Sequence, residues 1–324
     1  MMKSIAYIIP YFGKLPKNFP LWLLGCKCNP TVNWIILTDD KTIYDYPLNV
    51  KVIYTTYQNV VNRIKSHFDF EVLIDRPWRL SLFKPAYGEI FAEELQGYDF
   101  WGYCDIDLMW GNIRNFYTED VLDHHDRVGF LGHSTLYRNN KENNARYKVI
   151  VPGEINYIDV FTGKSGYSFD ENGMDAIFDY LHLPYYNKVV IADLEKYESG
   201  FVLGHFPKTE NYKNAYQIFT WHDGTLIRNY LDGNQICKEE FLYVHFFCRP
   251  MKYVWKKLDS KNTFYIYPDV MTDKNIGVTI NSIKKYGTRG AVAFFLNSLW
   301  VNRHKITVKR ILINFRNLFN YLKK

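Results

Sequence analysis

Paired cysteines are missing from this chain of 324 residues. Its five cysteines, Cys26, Cys28, Cys104, Cys237 and Cys248, are odd in number and form no C-x-x-C. That excludes a disulfide scaffold and points to a reduced, intracellular setting. No apolar core with a small-residue cleavage site lies near Met1, as a secretory signal would require. The one Asn-x-Ser/Thr match, Asn29-Pro30-Thr31, is disqualified by its proline. No apolar run reaches the roughly 18 residues that cross a bilayer. The expectation is a cytoplasmic protein, at most peripheral on the inner face of the membrane. Acidic residues are absent from 274–324, a stretch with eleven Lys and Arg. Net charge is +6, so the body is mildly acidic and the tail strongly basic.

Glycine-rich phosphate loops are missing too. No such turn follows the first apolar run, Ser4–Ile9, which argues against a dinucleotide fingerprint. Gly163-Lys164-Ser165 resembles the end of a P-loop, but Ile158 stands where the first glycine belongs, so it reads as a loop. No nucleic-acid motif accompanies the basic tail, so nucleic acid is not an expected partner.

Apolar and aromatic residues are abundant. Hydrophobic content is 47% and aromatic content 18%, enough for a sizeable core. Ser4–Ile9, Val32–Leu37 and Val50–Tyr54 are short apolar runs that predict buried strands, with a helix over Phe19–Cys28 between the first two. Strands alternating with a helix, and acids at strand ends, predict an α/β domain whose ligands sit beyond the carboxyl ends of the strands. Pro85 then predicts a helix start, and Ala86, Ile90, Phe91 and Leu95 make a helical stripe that Gly97 stops. Phe219–Ile227, alternating around Asp223-Gly224, predicts a hairpin.

That helix feeds Gly97–Leu108, whose aromatic residues suit a buried strand and which ends in Asp105 and Asp107. In extended chain, residues two apart face the same side. Two carboxylates there repel unless a cation sits between them, and hard oxygen ligands suit Mg²⁺ or Mn²⁺. His245 lies inside the apolar run Leu242–Phe247: it is either a core histidine or a third metal ligand. Lys84 is either a solvated lysine ahead of a helix or a group on the ligand. Asp170 and Glu171 precede a helical stripe, either as caps or facing an acceptor hydroxyl as a base. Ile311, Leu312, Phe315, Leu318, Phe319 and Leu322 form a stripe beside Lys and Arg. Such a helix either lies on an anionic membrane through 289–324 or packs on the body.

The runs Lys84-Pro85-Ala86-Tyr87-Gly88 and Gly97-Tyr98-Asp99-Phe100-Trp101-Gly102-Tyr103-Cys104-Asp105-Ile106-Asp107-Leu108-Met109-Trp110-Gly111-Asn112-Ile113 resemble a bacterial family of glycosyltransferase-like proteins. That family comes from polysaccharide gene clusters and is often described only as a domain of unknown function. It is distantly similar to the D-x-D, GT-A-type transferases of the glycogenin-like and mannosyltransferase-like groups. Ile8–Gly13, Leu37–Asp40 and Val244–Phe246 fit the same pattern, so the resemblance covers roughly residues 3–250.

The resemblance implies a single Rossmann-like GT-A domain over 1–255, with a mostly parallel mixed sheet flanked by helices. A C-terminal extension with basic amphipathic helices would occupy 256–324. It implies a metal-dependent hexosyltransferase that moves a sugar from a UDP- or GDP-sugar to a cell-surface polysaccharide or lipid-linked glycan, of capsule or lipopolysaccharide type. Asp105 and Asp107 match the D-x-D. His245 matches the late histidine that completes the metal site, although the G-x-x-K-P-W run that follows it in the glycogenin-like group is absent. Pro10, Tyr11, Phe12, Gly13 and Asp39 match loops that hold the nucleoside, and Lys84 and Asp105 would lie on the donor. If the enzyme inverts, Asp170 or Glu171 would be its base. The alternatives are an inactive carbohydrate-binding scaffold of the same fold and a metal-dependent phosphohydrolase or nucleotidyltransferase. The second of these predicts a tighter acidic cluster than the D-x-D provides.

Overall fold

Strands β1 (Ile5–Pro10), β2 (Val32–Thr38) and β3 (Val50–Tyr54) are the three apolar runs expected of the first half of the chain. The computed structural model describes residues 2–164, 168–194, 200–206, 216–246, 249, 251–288, 312, 315 and 316. The chain divides into two compact units, one of residues 1–106 and 114–188, the other of 107–113 and 189–324.

Further strands follow in chain order: β4 (Phe100–Cys104), β5 (Leu108–Trp110), β6 (Arg127–Leu131), β7 (Ser134–Arg138) and β8 (Tyr185–Tyr186). All but β5 join β1–β3 in a seven-stranded sheet ordered β3-β2-β1-β4-β7-β6-β8. The first four are parallel, β7 is antiparallel to β4 and β6, and β8 is parallel to β6. This is the expected α/β class with a mostly parallel mixed sheet. Parallel strands buried on both faces read as nearly continuous apolar runs, and Ile5, Ala6, Tyr7 and Ile8 are all fully buried.

Alternation along these strands separates two packing layers. On one face Tyr7 stacks on Trp34 and Trp34 meets Trp22 edge-on, under the helix Phe19–Lys27. On the other, Ala6, Ile8, Ile35 and Leu37 share a core with Val60, Val61 and Ile64 of the helix Tyr57–His67, and with Phe83, Trp101 and Phe161. From β1 the order runs outward through β2 to β3, and β4 then falls on the opposite side of β1. The strand order therefore reverses between β1 and β4, which makes their carboxyl ends a topological switch point.

The segment before β4 departs from expectation. Pro85 does not start a long helix; it lies inside a 3₁₀ segment, Pro77–Ala86, followed by a single α-turn, Tyr87–Ile90. Proline supplies no backbone donor and disfavours a continuous α-helix. Packing holds the irregular path instead: Phe83 stacks on Phe161 with ring centroids 4.3 Å apart, and the Tyr87 hydroxyl donates to the Leu80 carbonyl. Gly88 lies against Trp101, whose indole stacks on Tyr137 and donates to Asn144 Oδ1.

The second unit adds β9 (Ala192–Asp193), β10 (Gln217–His222), β11 (Thr225–Asp232), β12 (Gln235–Glu240) and β13 (Tyr243–His245). Beyond these come β14 (Lys252–Val254), β15 (Phe264–Tyr267) and β16 (Val270–Thr272). A small sheet is ordered β5-β13-β9, and a larger one β12-β11-β10-β15-β16-β14. The expected hairpin is present: β10 and β11 meet at Asp223 and Gly224, both at positive φ, as a tight two-residue turn requires. The expected boundary at 255 lies inside the larger sheet, because β10 pairs with β15 and β14 with β16. The expected basic stripe from Ile311, and with it the membrane contact through 289–324, lies outside the described residues apart from Leu312, Phe315 and Arg316. Among the described residues no helix is long and apolar enough to cross a membrane.

A Cβ at Gly88 would come within 2.5 Å of the Trp101 ring, and that ring is pinned on two sides. Gly88→Ala is expected to destabilise the protein by about 1–3 kcal/mol. Urea unfolding followed by tryptophan fluorescence measures this; an unchanged midpoint would show that Trp101 can shift freely.

Candidate active site

In the first unit, the carboxyl edge of the parallel strands gathers most of the residues singled out in the sequence. β1 ends at Pro10, and Tyr11 continues its path by donating its backbone N–H to the Leu37 carbonyl. Phe12 is buried edge-on to Tyr57. Gly13 then turns the chain at φ +90°, and its N–H donates to Asp39 Oδ1 at 2.8 Å. The loops leaving β1 and β2 are thereby tied together, with Asp39 as the knot. Asp40 repeats the device, accepting from the Leu15 N–H at 2.9 Å.

At the end of β4, Asp105 donates its backbone N–H to the His133 carbonyl and accepts from Lys84 Nζ at 2.7 Å. Lys84 is not the solvated lysine of the simpler reading. It is buried, donates also to the Gly132 carbonyl at 2.7 Å, and lies over the Tyr103 ring. Burial alone would lower the pKa of its ammonium, but the carboxylates of Asp105 and Asp170 outweigh this and raise it. Lys84 is thus a buried cation held between a strand-end carboxylate and a loop carbonyl.

Asp170 and Glu171 lie in the first turn of Phe169–Gly173, which leads into the helix Met174–Tyr180. Neither caps it. Glu171 Oε1 instead accepts from the Gly132 N–H at 2.7 Å. A Cβ on Gly132 would fall 2.5 Å from Asp170 Oδ2, so glycine is what lets the two acids approach this loop. The Asp170 backbone carbonyl accepts from the Tyr103 hydroxyl at 3.2 Å and from fully buried Arg127, which also pairs with Asp175. Burial pushes the Asp170 carboxyl up to about 6, the charges of Glu171 and Asp105 add to this, and Lys84 opposes it. A carboxyl titrating there is suited to exchanging a proton near neutral pH.

The second unit holds the other acid of the D-x-D. The Asp107 backbone carbonyl accepts from the Phe246 N–H, just beyond the end of β13. Its Oδ1 lies 3.5 Å from His245 Nε2. His245 is 5% exposed, and its Nδ1 meets Asp193 Oδ1 at 2.7 Å. Burial works to lower the imidazole pKa, but the hydrogen bonds and charges of Asp107 and Asp193 overcome it and push it up to about 10. Burial, and then the charge of Asp107, raise the Tyr253 hydroxyl above the usual tyrosine range. A carboxylate oxygen facing an imidazole nitrogen is a donor set that suits Mn²⁺ or a similar divalent ion.

Sequence reading missed Gly132, Arg127 and Asp193. Gly132 is visible as a glycine closing an apolar run, yet its two acidic neighbours are 38 and 39 residues away. Asp193 belongs to a two-residue strand flanked by no periodic pattern, so nothing local marks it.

A model of a family of unknown function, DUF6625, matches residues 7–275. No protein of curated function matches the sequence. Solved structures similar to this chain include the galactosyltransferase LgtC in complex with donor and acceptor sugar analogs, at 10% identity and a TM-score of 0.38 over 77% of this chain and 88% of that one. An active-site mutant of LgtC matches with the same identity, TM-score and coverage.

The raised pKa of Asp170 has a definite sign in stability. Its contribution is fully present below its ordinary value of 3.8 and is lost as pH rises through about 6. Above that range the ionised carboxyl costs up to about 3 kcal/mol. Asp170→Asn is therefore expected to raise the melting temperature at pH 8 and to leave it nearly unchanged at pH 4. Equal shifts at both pH values would remove Asp170 as the titrating group.

Proposed function

Because the chain belongs to DUF6625, a family of unknown function, we propose its activity from its own residues: a metal-dependent glycosyltransferase. It moves a sugar from a UDP- or GDP-sugar to a glycan or lipid-linked acceptor, on the cytoplasmic side of the membrane. The observation that carries this reading is the first unit's sheet edge. The loops ending β1, β2 and β4 leave from one edge, and the strand order reverses between β1 and β4. Such a reversal is where nucleotides settle on open parallel sheets.

In this reading Pro10–Gly13 and Asp39 form the nucleoside side, preshaped by the Gly13–Asp39 hydrogen bond. Asp107 and His245 are metal ligands, and Asp105, joined to Asp107 through Ile106, completes the D-x-D. Mn²⁺ or Mg²⁺ held by Asp107 and His245 would offset the charge on the nucleoside diphosphate as its bond to the sugar carbon breaks. Lys84 keeps the Asp105 carboxylate in place and adds a fixed positive charge on the donor side. Asp170 takes the proton of the acceptor hydroxyl as that oxygen attacks the sugar carbon. Glu171, bonded to the Gly132 N–H, holds the turn that carries Asp170. The Asp170 assignment makes the enzyme an inverting one.

A panel of nucleotide sugars, each incubated with and without Mn²⁺, tests the reading by the nucleoside diphosphate released. Metal-dependent release from one donor class is expected, abolished by chelation. Asp107→Asn should lower it by about 100-fold or more, since the loss of one ligand removes transition-state charge stabilisation of several kcal/mol. Circular dichroism and the unfolding midpoint should stay native-like. Unchanged turnover in Asp107→Asn, or release that ignores the metal, would end the proposal.

A further inference from the structure

The small sheet of the second unit places three side chains in a row. Its order is β5-β13-β9. β13 carries His245; Asp107 immediately precedes β5 on one side, and β9 carries Asp193 on the other. The parallel ladder pairs His245 directly with Asp193, and the Leu194 N–H donates to the His245 carbonyl. Residues in register on adjacent strands project to the same face. The contact between Asp193 Oδ1 and His245 Nδ1, at 2.7 Å, is thus set by backbone pairing.

The second oxygen of Asp193 is also engaged. Oδ2 lies 3.1 Å from His205 Nε2. The chain folds back to bring His205 there: Leu203 bridges Leu194, and the Gly204 N–H donates to the Asp193 carbonyl. His205 holds a left-handed backbone, φ +64°, a conformation that costs energy in residues other than glycine. Both oxygens of one carboxylate are therefore held, one by each imidazole.

An ionised carboxylate accepts hydrogen bonds and donates none. Asp193 therefore requires the proton on Nδ1 of His245. That tautomer turns Nε2, the atom facing Asp107, into the ligating nitrogen. We propose that Asp193 is a positioning residue: it fixes the tautomer and ring orientation of His245 for the divalent cation, and His205 in turn holds Asp193. The inference rests on the metal site of the proposed function and assigns Asp193 no direct bond to the ion. Carboxylates behind ligating histidines raise the basicity of the nitrogen that binds the metal.

Replacing Asp193 with asparagine keeps the shape and removes the charge. Its amide can also rotate and donate to Nδ1, which would move the ring proton to Nε2 and block ligation. Mn²⁺ binding to the full chain, without any nucleotide sugar, is read from the loss of the free-Mn²⁺ electron paramagnetic resonance signal. Wild type is expected to bind one Mn²⁺, and Asp193→Asn to bind one Mn²⁺ about 10–100-fold more weakly. His205→Gln, at a position 37% exposed, should fold as wild type and weaken binding by a smaller factor, about threefold or more on the same argument. It carries the test if Asp193→Asn loses its native circular dichroism.

Affinities within twofold of wild type in the folded variants would overturn the role of Asp193 and leave the metal site standing. Two ions in wild type and one in Asp193→Asn would overturn it in favour of direct ligation by Asp193. No Mn²⁺ bound by wild type would sink the metal reading of the proposed function, and this inference with it.

Discussion

Carboxylates gathered at the ends of buried strands repel one another, and each must be met by positive charge or by hydrogen-bond donors. This constraint organises both units. In the first, Asp105 is met by buried Lys84, Glu171 by the Gly132 N–H and Asp39 by the Gly13 N–H. Asp170 has Lys84 nearby, but its burial first, and then the charges of Glu171 and Asp105, make its carboxyl hard to ionise. In the second, one imidazole serves both Asp107 and Asp193. Neutralising partners of this kind come from elements distant in sequence, so the acids can only coexist once the sheets have formed.

The irregular segment ahead of β4 follows from the same requirement. Lys84 must arrive beside Asp105 with its stem buried, and a regular helix from Pro85 would set its course differently. The 3₁₀ path Pro77–Ala86, braced by Phe83 on Phe161 and by Gly88 under Trp101, delivers it. The glycines here are spacers for close approach. Gly88 admits an indole, and Gly132 admits two carboxylates.

The D-x-D divides between the two units: Asp105 ends a segment of the first and Asp107 begins one of the second. Each acid is held by its own surroundings, Lys84 for one and His245 for the other.

Much of this was legible in the chain. The β1, β2 and β4 runs announce themselves because strands buried on both faces must be apolar throughout. The hairpin at Asp223-Gly224 is written in residues that tolerate positive φ. Asp105, Asp107 and His245 could be singled out because acids at a strand end and a histidine in an apolar run are costly unless used. Composition and local pattern by themselves determined the α/β class, the main strands and the acids at their ends. Only the tertiary structure decided that Lys84 is a buried ion-pair partner, that Asp170 and Glu171 cap nothing, that the strands after 255 complete a sheet, and that Asp193 stands behind His245. Those facts depend on which strands become neighbours, and pairing across 21 to 52 residues leaves no mark in local periodicity.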